Sequence, residues 1–88
     1  MWILIRTKSQ NEEWSFAVPL PVGELIVGRG KECTIALNNP HASRRHLQIS
    51  HDGKAVTACD LKSEAGTTLN GKEFKEGTIS PGDQLEIA

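Results

Sequence analysis

The sequence predicts an all-β sandwich built from short strands. Apolar and polar residues alternate over short segments such as 14–18 and 46–50, which is the period-two pattern of a half-buried strand. Turn-forming residues recur about every 8–12 residues, a spacing typical of sandwiches and barrels. No longer window has the periodicity of a helix, so the fold class is all-β.

The predicted strands follow one another between clear turn signals. They cover residues 2–6, 14–18, 24–27, 34–37, 46–50, 55–61, 67–69 and 84–88. A polar cluster at 8–12 predicts a turn between the first two strands. Two further pairs, Asp52-Gly53 and Asn70-Gly71, are typical of the tight turn in a β-hairpin.

The sequence stops inside its last predicted strand, residues 84–88. If that strand ended an antiparallel sheet, it would leave an unpaired edge. We therefore expect the chain to be part of a longer protein, for which it would be the N-terminal region, or to lack the last strand of the sandwich.

Length and charge limit what the chain can be. With 88 residues it predicts a single domain over 1–88. Ten basic and eleven acidic residues give a formal net charge of −1, which argues against direct binding of nucleic acid or of a membrane surface by bulk charge. No signal peptide or membrane-spanning run is visible. Two cysteines, Cys33 and Cys59, are too few for a disulfide framework, so we predict buried thiols and an intracellular location.

Motifs for metal binding and catalysis are weak. Five potential metal ligands are spaced almost symmetrically, namely Cys33, His41, His46, His51 and Cys59. No pair among them has the short gap that zinc sites use, so we predict no metal and no cofactor. Ser43, His46 and Asp60 could be drawn as a triad, but no nucleophile elbow is present. The sequence therefore predicts a protein that is not an enzyme.

Basic residues concentrate in the middle of the chain. Residues 26–51 carry a net charge of +3, whereas residues 62–88 carry −2. Arg29 follows a predicted strand beside glycines, and the segment 41–46 contains Ser43 and Arg44 but no acid. Charge alone favours a solvated basic face. A pocket for an anion is the alternative, because guanidinium groups offer a fork of donors that matches phosphate oxygens.

The order of several short motifs makes the second interpretation the stronger one. The motifs are Gly28-Arg29, Ser43-Arg44-Arg45-His46, Asp60-Leu61-Lys62-Ser63, Gly66-Thr67-Thr68-Leu69-Asn70-Gly71 and Pro81-Gly82-Asp83. Over residues 24–88 this order resembles the forkhead-associated (FHA) family. The resemblance implies an FHA-like β-sandwich of mostly antiparallel strands whose loops bind phosphothreonine peptides. It implies a phosphothreonine-containing protein as the partner and a multidomain parent protein.

The resemblance also implies which residues touch a ligand. Arg29 and Ser43 would hold the phosphate, and Arg44 would contact the phosphate or the peptide. The family commonly has Thr-Asn before its Gly-Thr pair, and the Asn grips the ligand backbone. Here those positions are Glu64 and Ala65.

Two hypotheses follow from this departure. In the first, affinity is reduced or Lys62 and Ser63 take over contacts to the peptide. In the second, the domain is a phospho-independent scaffold with a degenerate pocket, for which an ion pair from Glu64 to Arg29 or Arg44 would be the sign. A nucleic-acid binder is a weaker alternative, because no aromatic residue lies near the basic loops to stack on bases.

Four more positions are expected to support the binding loops. By the resemblance, Gly28 would allow a bend and Gly66 a close approach of strands. His46 would pin the loop that presents Ser43, and Asn70 would hold the binding loops together. The Met-Trp start of the chain is similar to that of nibrin-type DNA-repair proteins, which suggests a role in the DNA damage response.

Overall fold

Two five-stranded sheets pack face to face in the computed structural model, which describes residues 1–10 and 12–88. The strands in that part of the chain are β1 (Trp2–Ser9), β2 (Glu12–Pro19), β3 (Gly23–Gly28), β4 (Ile35–Ala36), β5 (Leu47–His51), β6 (Val56–Asp60), β7 (Thr67–Leu69), β8 (Lys72–Phe74), β9 (Glu76–Ile79) and β10 (Gln84–Ile87). The described residues form no helix, and hence none that could cross a membrane. The predicted all-β sandwich is confirmed.

The first sheet has the strand order β2-β1-β10-β7-β8 and the second β4-β3-β5-β6-β9. Most neighbours are antiparallel, but β1 runs parallel to β10 and β3 runs parallel to β4. Strand β10 lies between β1 and β7, with Leu85 paired to Ile5 on one side and to Leu69 on the other. The expected unpaired edge at the last strand is therefore wrong, because the N-terminal strand β1 supplies a parallel neighbour.

The core lies between the two sheets and comes from alternate residues of the long strands. In β1, Ile3 and Ile5 are fully buried, and Leu85 and Ile87 of β10 lie beside them. The facing sheet contributes residues such as Leu47, at 0% exposure. Since successive side chains of a strand point to opposite faces, this period-two pattern builds one apolar layer and leaves the loops to present polar groups.

Each of the eight predicted segments overlaps an observed strand, although the boundaries differ. Strand β1 continues to Ser9 and β2 begins at Glu12, so the turn is shorter than the predicted 8–12; within it, Asn11 lies outside the described residues. The turn at Asn70-Gly71 joins β7 to β8 with positive φ at both residues (51° and 87°), as a type I′ hairpin turn requires.

Strands β8 and β9 were missed. They are three and four residues long, and exposed residues dominate them, so the apolar pattern is too short to detect. The cysteines follow the prediction in part, since both are free, but only Cys33 is buried and Cys59 is half-buried.

Candidate functional site

Three loops meet at one end of the sandwich. They are the β3–β4 loop (29–34), the β4–β5 loop (37–46) and the β6–β7 loop (61–66). The Arg29 N–H donates to the Ser43 carbonyl at 2.9 Å, and the Gly30 N–H donates to the Arg44 carbonyl at 3.0 Å. The Glu64 N–H donates to Ser43 Oγ at 3.3 Å. These bonds bring residues from three distant segments into one cleft.

The cleft has a volume of about 550 Å³. Four of the five predicted binding residues line it, namely Arg29, Ser43, Arg44 and Lys62. The remaining wall consists of Pro40, His41, Ala42, Glu64 and Ala65. The cations of the wall outnumber its single acid, Glu64, so the cleft favours an anion.

The two arginines are held differently. Arg29 Nε donates to the Ala42 carbonyl at 3.1 Å, which fixes the guanidinium against the β4–β5 loop at the wall of the cleft. The Arg44 side chain is 68% exposed, and its Nη2 lies 3.5 Å from Glu32 Oε2. A backbone hydrogen bond and then the charge of Arg44 lower the pKa of Glu32, and desolvation offsets this only in part. Arg29 is thus held against the β4–β5 loop, whereas Arg44 is exposed and paired with Glu32.

His46 joins two of the loops from inside the protein. The ring is completely buried, and its Nδ1 accepts the Ser43 N–H at 3.1 Å. Nε2 must therefore carry the ring proton, which it donates to the Gly66 carbonyl at 2.8 Å. This geometry fixes the backbone of Ser43 relative to the β6–β7 loop. The resemblance implied that role for His46.

Asp60 organises the β6–β7 loop. Its carboxylate accepts the Ser63 N–H at 2.8 Å, the Ser63 hydroxyl at 2.6 Å and the Thr67 hydroxyl at 2.7 Å. Burial raises the pKa of Asp60, but the hydrogen bonds from Ser63 and Thr67 together outweigh burial, so the pKa lies below its usual value. An ionised carboxylate at this point therefore stabilises the loop.

Ser63 is occupied within its own loop. Its hydroxyl donates to Asp60 and accepts the Gly66 N–H at 3.1 Å, and it is not among the residues that line the cleft. The sequence placed Ser63 among the ligand contacts. Its hydrogen bonds instead stabilise the β6–β7 loop.

The two glycines exchange the roles expected of them. A Cβ on Gly28 would lie 2.9 Å from the Ser43 carbonyl oxygen and closer still to that of Arg44, so Gly28 is needed for close approach and not for a bend. Gly66 has a φ of +85°, and a Cβ added to it would have no neighbour within 4 Å. Gly66 is therefore the residue that needs unusual backbone freedom.

Asn70 lies away from the binding loops. Strand β7 separates it from Gly66, and its Nδ2 donates to Asp83 Oδ1 at 3.1 Å while its Oδ1 accepts the Gln84 N–H at 3.0 Å. The prediction that Asn70 holds the binding loops together is wrong. It joins the β7–β8 turn to the start of β10, because a side chain in the hairpin turn reaches the strand next to it.

A series of hydrogen bonds between buried polar groups was not predicted from the sequence. Asn39 is 1% exposed, and its Nδ2 donates to Thr7 Oγ1 at 2.8 Å and to the Lys8 carbonyl at 3.0 Å. Its Oδ1 accepts the His41 N–H at 2.9 Å, and Thr7 Oγ1 donates to the Ile87 carbonyl at 2.7 Å. The signal in the sequence was Thr7, a polar residue that continues the buried side of β1.

Cys33 makes a second contact that the sequence did not reveal. Its Sγ donates to the Arg44 carbonyl at 2.9 Å, the same oxygen that accepts the Gly30 N–H.

Across residues 1–10 and 12–88, no three His, Cys, Asp or Glu side chains gather as metal ligands. His51, another of the spaced candidates, has its Nδ1 3.1 Å from the Leu20 carbonyl.

Glu64 does not neutralise the arginines. In the part of the chain that the structure describes, Arg44 is ion-paired with Glu32, and no ion pair joins Glu64 to Arg29 or Arg44. The sign expected of a degenerate pocket is therefore not found among these residues. Ala65 lines the cleft beside Glu64 with no polar side chain to offer.

A β-sandwich that gathers cationic loops at one end belongs to the class of ligand-binding interaction domains. The FHA domain family model matches residues 25–88, and the chain belongs to that family. Over 65 residues it is 37% identical to the FHA domain-containing protein FhaA of Mycobacterium tuberculosis, a match that covers 74% of this chain and 12% of FhaA. The chain thus spans about an eighth of that relative.

Solved structures of FHA domains are similar to this chain in fold. The FHA domain of FhaA, complexed with the intracellular domain of Rv3910, has a TM-score of 0.76 and 35% identity over 82% of this chain and 79% of the other. A structure from the analysis of phosphothreonine-dependent FHA domain interactions also has a TM-score of 0.76, with 30% identity over 98% and 83% of the two chains. The FHA-like fold is therefore shown.

Proposed function

We propose that this domain binds phosphothreonine peptides and thereby mediates phosphorylation-dependent interaction between proteins. The observation that carries the proposal is the meeting of Arg29, Ser43 and Arg44 in one cleft with Lys62 at its wall. A phosphate group carries a charge of about −1.5 to −2 at pH 7 and offers three acceptor oxygens. Guanidinium and hydroxyl donors are the groups that such oxygens require.

The hydrogen bonds of the cleft support specific roles. Ser43 Oγ accepts the Glu64 N–H, so its own hydroxyl proton remains available for a phosphate oxygen. The Arg29 guanidinium is fixed by Ala42, which lowers the entropy lost when it binds a ligand. We assign the phosphate to Arg29 and Ser43, the phosphate or the peptide to Arg44, and the peptide to Lys62.

The remaining predicted positions act behind the cleft in this proposal. Ser63, His46, Gly28 and Gly66 hold the loops in place without touching the ligand. The comparisons support the proposal through the family, since one similar structure concerns phosphothreonine-dependent interactions and another is a complex with a partner domain. Because the chain spans 12% of FhaA, we further propose that the domain is one module of a longer intracellular protein. A role in the DNA damage response stays a prediction.

Titration of matched peptides tests the proposal. A library of threonine peptides is measured by fluorescence anisotropy, each in phosphorylated and unphosphorylated form. We expect binding of phosphorylated members only, and a loss of about 1.5–3 kcal/mol on Arg29→Ala, equivalent to roughly 10- to 150-fold in affinity. Ser43→Ala should weaken binding in the same direction.

Arg45 provides a matched control. It is the chain neighbour of Arg44 and carries the same charge, but it is not among the residues that line the cleft. Arg45→Ala should therefore change affinity much less than Arg29→Ala. Equal binding of the two peptide forms, or no binding across the library, would refute the proposal. Equal binding would favour the phospho-independent scaffold, the alternative to which Glu64 and Ala65 point.

A further inference from the structure

Glu64 lies in the wall of the cleft, beside residues that we assign to the ligand. Its backbone N–H is bonded to Ser43 Oγ at 3.3 Å, so the residue lies directly beside the hydroxyl that we assign to the phosphate. The Glu64 side chain is exposed at the wall of the cleft. Among the described loops, Glu64 takes part in hydrogen bonding through its backbone, so the carboxylate is not needed to shape the loop.

The wall of the cleft contains a single acid among several cations. Arg29, Arg44 and Lys62 face one acid in the wall, Glu64. A second acid, Glu32, is already paired with Arg44 at 3.5 Å. Since Glu32 is paired with Arg44 and lies outside the wall, Glu64 is the acid that a ligand bound in the cleft would meet.

We propose that Glu64 selects among phosphothreonine peptides, favouring those with Lys or Arg next to the phosphothreonine and disfavouring those with Asp or Glu there. A basic side chain beside the phosphate would meet the opposite charge of the Glu64 carboxylate. An acidic side chain would meet a like charge. This inference rests on the proposed function, because the phosphate has to be anchored at Arg29 and Ser43 for the neighbouring residue to face Glu64.

The size of the effect follows from the exposure of Glu64. Each exposed ion pair contributes little, so replacing one Ala of the peptide by Lys should raise affinity by about two- to five-fold. Replacing Lys by Glu in the peptide turns attraction into repulsion and should lower affinity by roughly three- to ten-fold. High salt should shrink both differences, because both charges are exposed to solvent.

The experiment uses one phosphothreonine peptide in which each flanking position in turn is Lys, Ala or Glu. Each peptide is also made without the phosphate, and all are titrated against the wild-type domain and Glu64→Gln. At the position that faces Glu64, the wild type should prefer Lys to Glu, and Glu64→Gln should lose most of that preference. Glu64→Lys should reverse it.

Glu73→Gln is the matched control, since Glu73 is an exposed acid of β8 paired with Lys75 and not among the cleft residues. It should keep the wild-type preference. An unchanged preference in Glu64→Gln overturns the inference, and so does an equal gain in affinity for the Lys and Glu peptides. If phosphorylated and unphosphorylated forms bind alike, the proposed function fails as well, so the two failures are distinguishable.

Discussion

The backbones of Gly28 and Arg44 touch. A Cβ on Gly28 would overlap the Arg44 carbonyl oxygen and lie 2.9 Å from that of Ser43. The same two segments are joined by the hydrogen bonds from Arg29 and Gly30. This contact holds the backbone of Arg29 beside that of Ser43.

Gly28→Ala should therefore damage both stability and binding. The added methyl group meets backbone atoms that cannot move alone, and we expect a loss of about 1–3 kcal/mol in the free energy of unfolding, measured in urea. Gly30→Ala is the control, because the three atoms nearest to its methyl group would belong to the Glu32 side chain, which can rotate away. Equal stability of the two variants would contradict the prediction.

Thr7 and Asn39 should behave as a coupled pair. Asn39→Ala removes three hydrogen bonds and leaves buried groups without a partner, so we expect it to cost about 2–4 kcal/mol. Thr7→Val removes the hydroxyl to which Asn39 donates. Urea denaturation of both single variants and the double variant should give a coupling free energy above about 0.5 kcal/mol. Simple additivity would show that the hydroxyl and the amide act independently.

Asp60 should make stability fall in acid. Its pKa in the folded protein lies below the unfolded value of about 3.9. The stabilisation by Asp60 is therefore complete well above that pH and is lost as pH falls through the folded pKa. Asp60→Asn should cost stability at pH 7, and its difference from wild type should shrink at about pH 2–3.

Asp52→Asn is the comparison for this pH dependence. The pKa of Asp52 is also lowered, by hydrogen bonds from the backbones of Ala55 and Lys54 in the β5–β6 turn. We expect acid sensitivity of the same sign from Asp52. Only Asp60→Asn should also weaken phosphopeptide binding, because only Asp60 orders the β6–β7 loop. Loss of binding in both variants would argue against that assignment.

Ala65→Asn should strengthen phosphopeptide binding. Ala65 lines the cleft where the family commonly has an amide side chain that grips the ligand backbone. One restored hydrogen bond is worth about 0.5–1.5 kcal/mol, which corresponds to roughly two- to twelve-fold in affinity. Isothermal titration with a single phosphothreonine peptide measures the change. An unchanged dissociation constant would show that the ligand backbone runs elsewhere.

The fold was predictable where local pattern and long-range structure agree. Alternation in β2 and β5 reports directly on burial, and the residue types at Asn70-Gly71 specify the conformation of that turn. Strands β8 and β9 are too short to show alternation. The parallel pairing of β1 with β10 has no local signature at all, because it depends on how two segments from opposite ends of the sequence meet.

The candidate site was predictable as a set of residues but less so as a set of roles. Motif order located Arg29, Ser43, Arg44 and Lys62 in the same cleft. Which glycine needs positive φ and which needs space depends on the neighbouring backbone, so the roles of Gly28 and Gly66 were exchanged. Asn39 has no local signal of burial, because its buried partner Thr7 lies 32 positions away.

The bond from Thr7 to Ile87 spans 80 positions in the sequence. Together with the pairing of β1 and β10, it means that the first sheet cannot close until almost the entire chain has collapsed. Loop closure of this length must be completed before its contacts stabilise anything. We therefore expect folding on the millisecond-to-second timescale of sandwiches with distant strand pairs.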